Sequence, residues 1–132
     1  MSVSVSVDVP TSTVRDLLTC AVEGGSNYWA AFREDPNFIK SITESDKHAY
    51  VESEGGKYYA RYDIENPYYC LRVSDVEGGT TYNVTLENFV NGLNVMADRY
   101  PRHFKDVITE NHDAVTSDVF IQCAVFGEIV FG

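Results

Sequence analysis

The chain predicts an α+β domain in which an antiparallel sheet packs against three to four helices and the last helix lies in the core. Three features of the sequence lead there. Short runs rich in Tyr, Val and Leu, with a Gly-Gly pair between two of them, read as strands joined by a hairpin. Other stretches repeat apolar residues at helical spacing. Val119 to Phe131 is apolar almost throughout, interrupted by Gln122, Gly127 and Glu128, and a helix apolar on most sides must be enclosed by other elements. With 132 residues, 44% hydrophobic and 13% aromatic, the chain fits one domain spanning residues 1–132. It is long enough to bury roughly two thirds of its unfolded surface without metal or disulfide support.

Taken in order, Val3, Val5, Val7 and Val9 alternate with Ser4, Ser6 and Asp8, the pattern of a half-buried strand. After Pro10, Thr13 is placed to cap a helix with Asp16 three residues on. Val14, Leu17, Leu18, Ala21 and Val22 then mark one helical face, and Gly24 and Gly25 stop it. From Arg33 to Gly56 apolar residues are sparse, which reads as an inserted excursion at 33–56 with a short helix near 36–43 or a strand near 48–52 as its candidate elements. Residues 57–63, 68–76 and 80–85 read as strands, with Gly78-Gly79 closing a hairpin between the last two. Thr85 opens a helix carrying Leu86, Phe89, Val90, Leu93, Met96, Ala97 and Tyr100 on its apolar side, and Pro101 interrupts it. Phe104, Val107 and Ile108 mark a shorter helix, and Asp113 stands where a cap for the last one belongs.

Composition excludes several classes of function. Twenty acidic against ten basic residues give a net charge of −10, which opposes direct nucleic-acid binding, where Lys and Arg must displace counterions. No apolar run approaches the ~20 residues that span a bilayer, and the start of the chain lacks the basic and apolar regions of a signal peptide. No membrane partner is expected, and the expected location is the cytoplasm. Cys20, Cys70 and Cys123 are odd in number and widely spaced, so all three read as reduced. Gly-rich phosphate loops are absent, and His48, His103 and His112 lack zinc-site spacing. Neither a metal nor a cofactor is expected. His112-Asp113 is the single pair resembling a metal-phosphohydrolase dyad, but Asp113 has a capping position, so an enzyme is the least favoured class.

The richest local chemistry lies at Glu23-Gly24-Gly25-Ser26-Asn27-Tyr28-Trp29. Two glycines let the backbone take positive φ and approach another group, while Ser26, Asn27 and Trp29 offer hydrogen-bonding groups beside flat apolar surface. Such a set can cradle a ligand or can be a helix end with its aromatic tucked into the core. Asp118 and Gln122, four residues apart on one face of an otherwise apolar helix, need partners. Those partners are either the Gly-Gly turn or the donors of a ligand. Tyr58, Tyr59, Tyr62, Tyr68 and Tyr69 concentrate aromatic faces in one sheet, a surface for stacking a base or docking a protein.

Two segments carry a resemblance: Asp16-Leu17-Leu18 through Glu23–Trp29, and Asp113-Ala114 through Asp118–Gln122 to the closing Phe126-Gly127-Glu128-Ile129-Val130-Phe131-Gly132. In these, and in the helix opening from Leu86 to Leu93, the chain resembles a family of small uncharacterised bacteriophage and prophage proteins. The similarity covers about half the chain, leaving out residues 33–66. The resemblance implies a genomic setting, the infected bacterial cell, and implies that the glycine turn and the Asp113–Gln122 face belong together. The expectation is a phage accessory protein that works by stoichiometric binding and counteracts host defence by sequestering a small nucleotide-like ligand. Gly24, Gly25, Ser26, Asn27, Trp29, Asp118 and Gln122 are its candidate ligand-binding residues. The alternative is an acidic, nucleic-acid-mimicking inhibitor of a host defence protein that works through Glu44, Asp46, Glu52 and Glu54. Self-association into a homo-oligomer is left open by the sequence.

Overall fold

The computed structural model describes residues 1–41 and 62–132. The proposed strand at 48–52, the acidic stretch from Glu44 to Glu54, most of the strand at 57–63, and Tyr58 and Tyr59 lie outside the described residues. Among those described, the order is α1 (Thr11–Cys20), continued by one π-helical turn (Ala21–Gly25), then β1 (Ala30–Glu34), α2 (Pro36–Ser41), β2 (Leu71–Asp75), β3 (Thr81–Val84), α3 (Leu86–Arg99), α4 (Pro101–Ile108) and α5 (Ala114–Phe126). The architecture is the expected α+β arrangement of helices on an antiparallel sheet.

The sheet runs β1-β2-β3 with β2 central and both pairings antiparallel. Asp75 accepts the Gly79 N–H through its carbonyl at 2.8 Å, and its side chain accepts the N–H groups of Glu77 and Gly78. This Asx-type turn, with Gly79 at φ 72, closes the expected β2–β3 hairpin. β1 was not expected. Its sequence, Ala-Ala-Phe-Arg-Glu, has weak strand character, and pairing with β2 in the register Phe32↔Val73 imposes the strand.

Residues 3–9 correct the expectation of a strand there. They carry no strand assignment, and Val3 and Val5 are each 85% exposed. Alternation states only which residues would share a face; a strand also needs a pairing partner, and residues 3–9 pair with none of the described strands. Thr13 is likewise not a cap. It lies in the first turn of α1, buried, and the Pro10 carbonyl accepts from the Thr13 and Val14 N–H groups. The apolar face of α1 is as expected, with Val14, Leu17, Leu18, Ala21 and Val22 all buried.

Thr85 opens α3, where its N–H donates to Asn88 Oδ1 at 3.0 Å. α5 is the centre of the fold: every residue from Thr116 to Ala124 is buried. It begins at Asp113, whose carboxylate accepts the Thr116 N–H at 2.9 Å. It ends earlier than its apolar run, because Gly127 adopts the left-handed conformation at φ 74 and turns the chain back. α3 crosses α5 at Gly92, where a Cβ would stand 2.8 Å from the Ala124 nitrogen. The absence of a side chain there permits the contact. No helix among the described residues is long and apolar enough to cross a membrane.

Candidate functional site

The glycine turn and the central helix meet in one buried hydrogen-bond network. α5 projects Asp118 toward the turn that follows α1, where the chain reverses through the Ser26 N–H donating to the Ala21 carbonyl at 2.9 Å. Asp118 Oδ1 accepts Ser26 Oγ–H at 2.7 Å and the Trp29 indole N–H at 2.7 Å. Its Oδ2 accepts the Tyr28 hydroxyl at 2.5 Å and Gln122 Nε2 at 2.9 Å. Four donors on two oxygens fill the acceptor capacity of a carboxylate, which is how a carboxyl group only 8% exposed is accommodated in the interior.

Gln122 completes the arrangement one turn later. Its Oε1 accepts the N–H groups of Val130 and Phe131 at 2.7 and 2.8 Å, and its Nε2 donates to the Phe131 carbonyl at 3.1 Å. Two backbone donors on one atom fix which end of the amide is oxygen. The side chain therefore acts like a neighbouring strand for the segment after Gly127. That segment lays the Phe131 ring on Trp29, with centroids 5.1 Å apart and planes 11° from parallel, while Phe126 meets the indole tilted by 47° at 5.4 Å.

The expected site residues thus divide. Ser26, Trp29, Asp118 and Gln122 come together, with their polar groups aimed at one another and at backbone rather than into open space. Trp29 is 1% exposed, and one face of its ring is covered by Phe131. Gly25 lies against α5, where a Cβ would meet the Ala114 carbonyl oxygen at 2.7 Å. The positive φ expected of the two glycines is not used: Gly24 is at φ 178, and neither is among the left-handed residues. Gly24 and Asn27 are exposed, and Asn27 engages the turn through its backbone N–H to the Gly24 carbonyl at 3.3 Å. The tyrosines expected on one sheet are not on it: Tyr62, Tyr68 and Tyr69 lie in the turn-rich segment before β2, with Tyr62 and Tyr69 buried and Tyr68 66% exposed.

A cleft of about 590 Å³ opens beside the network, bordered by Tyr28, Trp29, Glu77, Val115, Phe131 and Gly132. Tyr28 roofs the network and faces this cleft, its side chain more than half exposed while its hydroxyl reaches Asp118. Burial of that hydroxyl, followed by its bond to Asp118 and the adjacent negative charge, pushes the phenol up to about 12. It holds its proton at physiological pH and is not a base. Two of the thiols are held in the unreactive protonated form by their surroundings: burial pushes Cys123 up to about 11, and burial together with the Asp35 carboxylate raises Cys70.

Sequence reasoning missed Tyr28, Glu77 and Phe131, which border the cleft, and it missed Glu34. Glu34 sits on the core side of β1 with Ala30, in register with Leu71, 9% exposed, and neither carboxyl oxygen has a hydrogen-bond partner among the described residues. Burial alone pushes it up to about 8. The next residue is fully engaged: Asp35 accepts the Asn37 N–H at 2.6 Å and pairs with Arg72 at 3.4 Å. No signal in a polar stretch marks one carboxylate out for burial; the register with β2 does.

Comparison with protein-family models, with curated proteins and with solved structures finds no match.

Proposed function

We propose that the protein acts by stoichiometric binding of a small nucleotide-like ligand in the cleft beside Tyr28 and Phe131. One observation carries this reading. The cleft borders a network whose polar groups are all engaged by protein, so what it offers is aromatic surface and one solvent-facing carboxylate, Glu77, rather than a nucleophile with its base. Ring faces suit a planar base, and a carboxylate suits its N–H donors. Among the described residues no Lys or Arg borders the cleft, so phosphates on such a ligand would face solvent. In the phage setting that the resemblance implies, the consequence is sequestration of a host defence signal. Asp118 and Ser26 then serve by fixing Trp29 and Gln122 in place behind the cleft wall.

Native mass spectrometry of protein purified from bacteria, compared with the denatured chain, tests this. A released species of nucleotide-like mass, lost in Glu77→Ala, supports the cleft. A protein that carries no such mass and binds no added purine nucleotide overturns it. The competing reading, an acidic surface that blocks a host enzyme, is favoured by the net charge of −10. Its mark is partner binding that weakens steeply with salt and is indifferent to Glu77.

A further inference from the structure

The segment Glu128–Gly132 already occupies the place where a base would be read. Its Phe131 ring lies flat on Trp29. Its backbone offers Gln122 one acceptor, the Phe131 carbonyl, and two donors, the Val130 and Phe131 N–H groups. An acceptor beside two donors, attached to a flat ring, is the pattern of the pairing edge of guanine, with its O6, N1–H and N2–H₂. From this match we infer that residues 128–132 form a displaceable strap, and that a guanine nucleotide enters by replacing Phe131 on Trp29 and taking over its hydrogen bonds to Gln122.

The strap is lightly held. Gly127, at φ 74, separates it from α5. Beyond the Gln122 bonds it is tied by the Ile129 N–H to the Tyr100 hydroxyl at 3.0 Å, and by Arg99 reaching the Gly127 carbonyl at 3.4 Å. Ile129 and Val130 are 37% and 53% exposed, whereas every residue from Thr116 to Ala124 of the helix beside the strap is buried. Few buried contacts on a segment outside regular structure place it at the low-stability end of the fold. Phe131 and Gly132 also border the open cleft, so a ligand in the cleft stands next to the ring it would displace. An amide side chain carries both a donor and an acceptor, so Gln122 can read either occupant without a change of charge. The closed strap lowers apparent affinity by the fraction of molecules it holds shut.

This inference rests on the cleft-binding reading, and one titration separates them. GMP and AMP are added to the wild-type protein, to Phe131→Ala and to Val130→Pro, with Trp29 emission as the readout, since it is the only tryptophan in the chain. Val130→Pro removes one strap donor while leaving both rings in place. The expected result is GMP binding that tightens about tenfold or more in Phe131→Ala and severalfold in Val130→Pro, with GMP preferred over AMP in all three. Equal or weaker GMP binding in both variants overturns the strap and leaves the cleft standing, as does a preference for AMP. No binding of either nucleotide to any of the three overturns both readings.

Discussion

The Trp29 indole N–H donates to Asp118 Oδ1 at 2.7 Å across 89 residues of sequence, and Ser26 shares the same oxygen. This one atom joins the turn after α1 to the central helix. Its consequence is that the carboxylate is held in the interior by donors alone, so removing the acceptor orphans several groups together.

Asp118→Asn should therefore destabilise strongly although it is nearly isosteric. The amide has one acceptor oxygen for four donors, and its NH₂ group must face other donors. Leaving two or more buried donors unpaired costs about 3 kcal/mol or more. Urea denaturation followed by Trp29 emission measures this; a loss below about 1 kcal/mol would show that the network is dispensable. Ser26→Ala, which removes one donor and leaves the acceptor served by three, should cost about 1 kcal/mol.

How much of this was legible in the sequence follows from which signals are local. The faces of α1, α3 and α5 are written in apolar spacing, and Asp113, Thr85 and Gly78-Gly79 mark boundaries through chemistry confined to a few residues. The grouping of Ser26 and Trp29 with Asp118 and Gln122 was legible only as a need: two polar residues in an apolar helix require partners. Which partners they have depends on a reversal of the chain at Gly127 that brings Val130 and Phe131 back onto Gln122. β1 and the unpaired segment at residues 3–9 show the converse. Ala30–Glu34 is a strand because β2 is beside it, and the valines of residues 3–9 have the pattern of a strand but pair with none of those described.

Gly92 carries a packing role that composition does not display. A Cβ there would stand 2.8 Å from the nitrogen and 3.1 Å from the Cβ of Ala124, so the helix backbones of α3 and α5 must separate to admit one. In an ordinary helix interior Gly→Ala stabilises by about 1 kcal/mol. Here Gly92→Ala should instead destabilise by roughly 2 kcal/mol or more through overpacking. Thermal unfolding by calorimetry gives the sign, and a raised midpoint would refute the close crossing.

Cys123 should be silent toward thiol reagents in the folded protein. It is 2% exposed, and burial raises its thiol to about 11, so the reactive thiolate is scarce at pH 8. Labelling with a disulfide reagent at pH 8, read by intact mass, should reach Cys123 only after denaturation. Rapid labelling of Cys123 in native protein would mean that α5 opens far more often than a central helix should.

Glu34 should make the protein less stable as pH rises. Its folded-state value, about 8, lies above the ordinary 4.5, so the folded chain binds this proton more tightly than the unfolded chain does. The advantage is complete below about pH 4.5 and is lost progressively as pH climbs toward 8, because the unfolded carboxyl ionises freely while the buried one cannot. At 1.36 kcal/mol per unit, the loss through this residue by pH 7 is up to about 3 kcal/mol. Other carboxylates pull the other way: Asp113 is lowered by the Thr116 N–H that it caps, so the whole protein's profile mixes both signs. The clean comparison is Glu34→Leu against wild type. Since neither Glu34 oxygen is hydrogen-bonded among the described residues, an apolar replacement leaves none of their polar groups unpaired. The variant should gain little at pH 4.5 and a few kcal/mol at pH 8, so that the difference in urea midpoint widens steadily with pH. A difference independent of pH would show that Glu34 is ionised in the folded protein, and therefore that its carboxyl is solvated rather than enclosed.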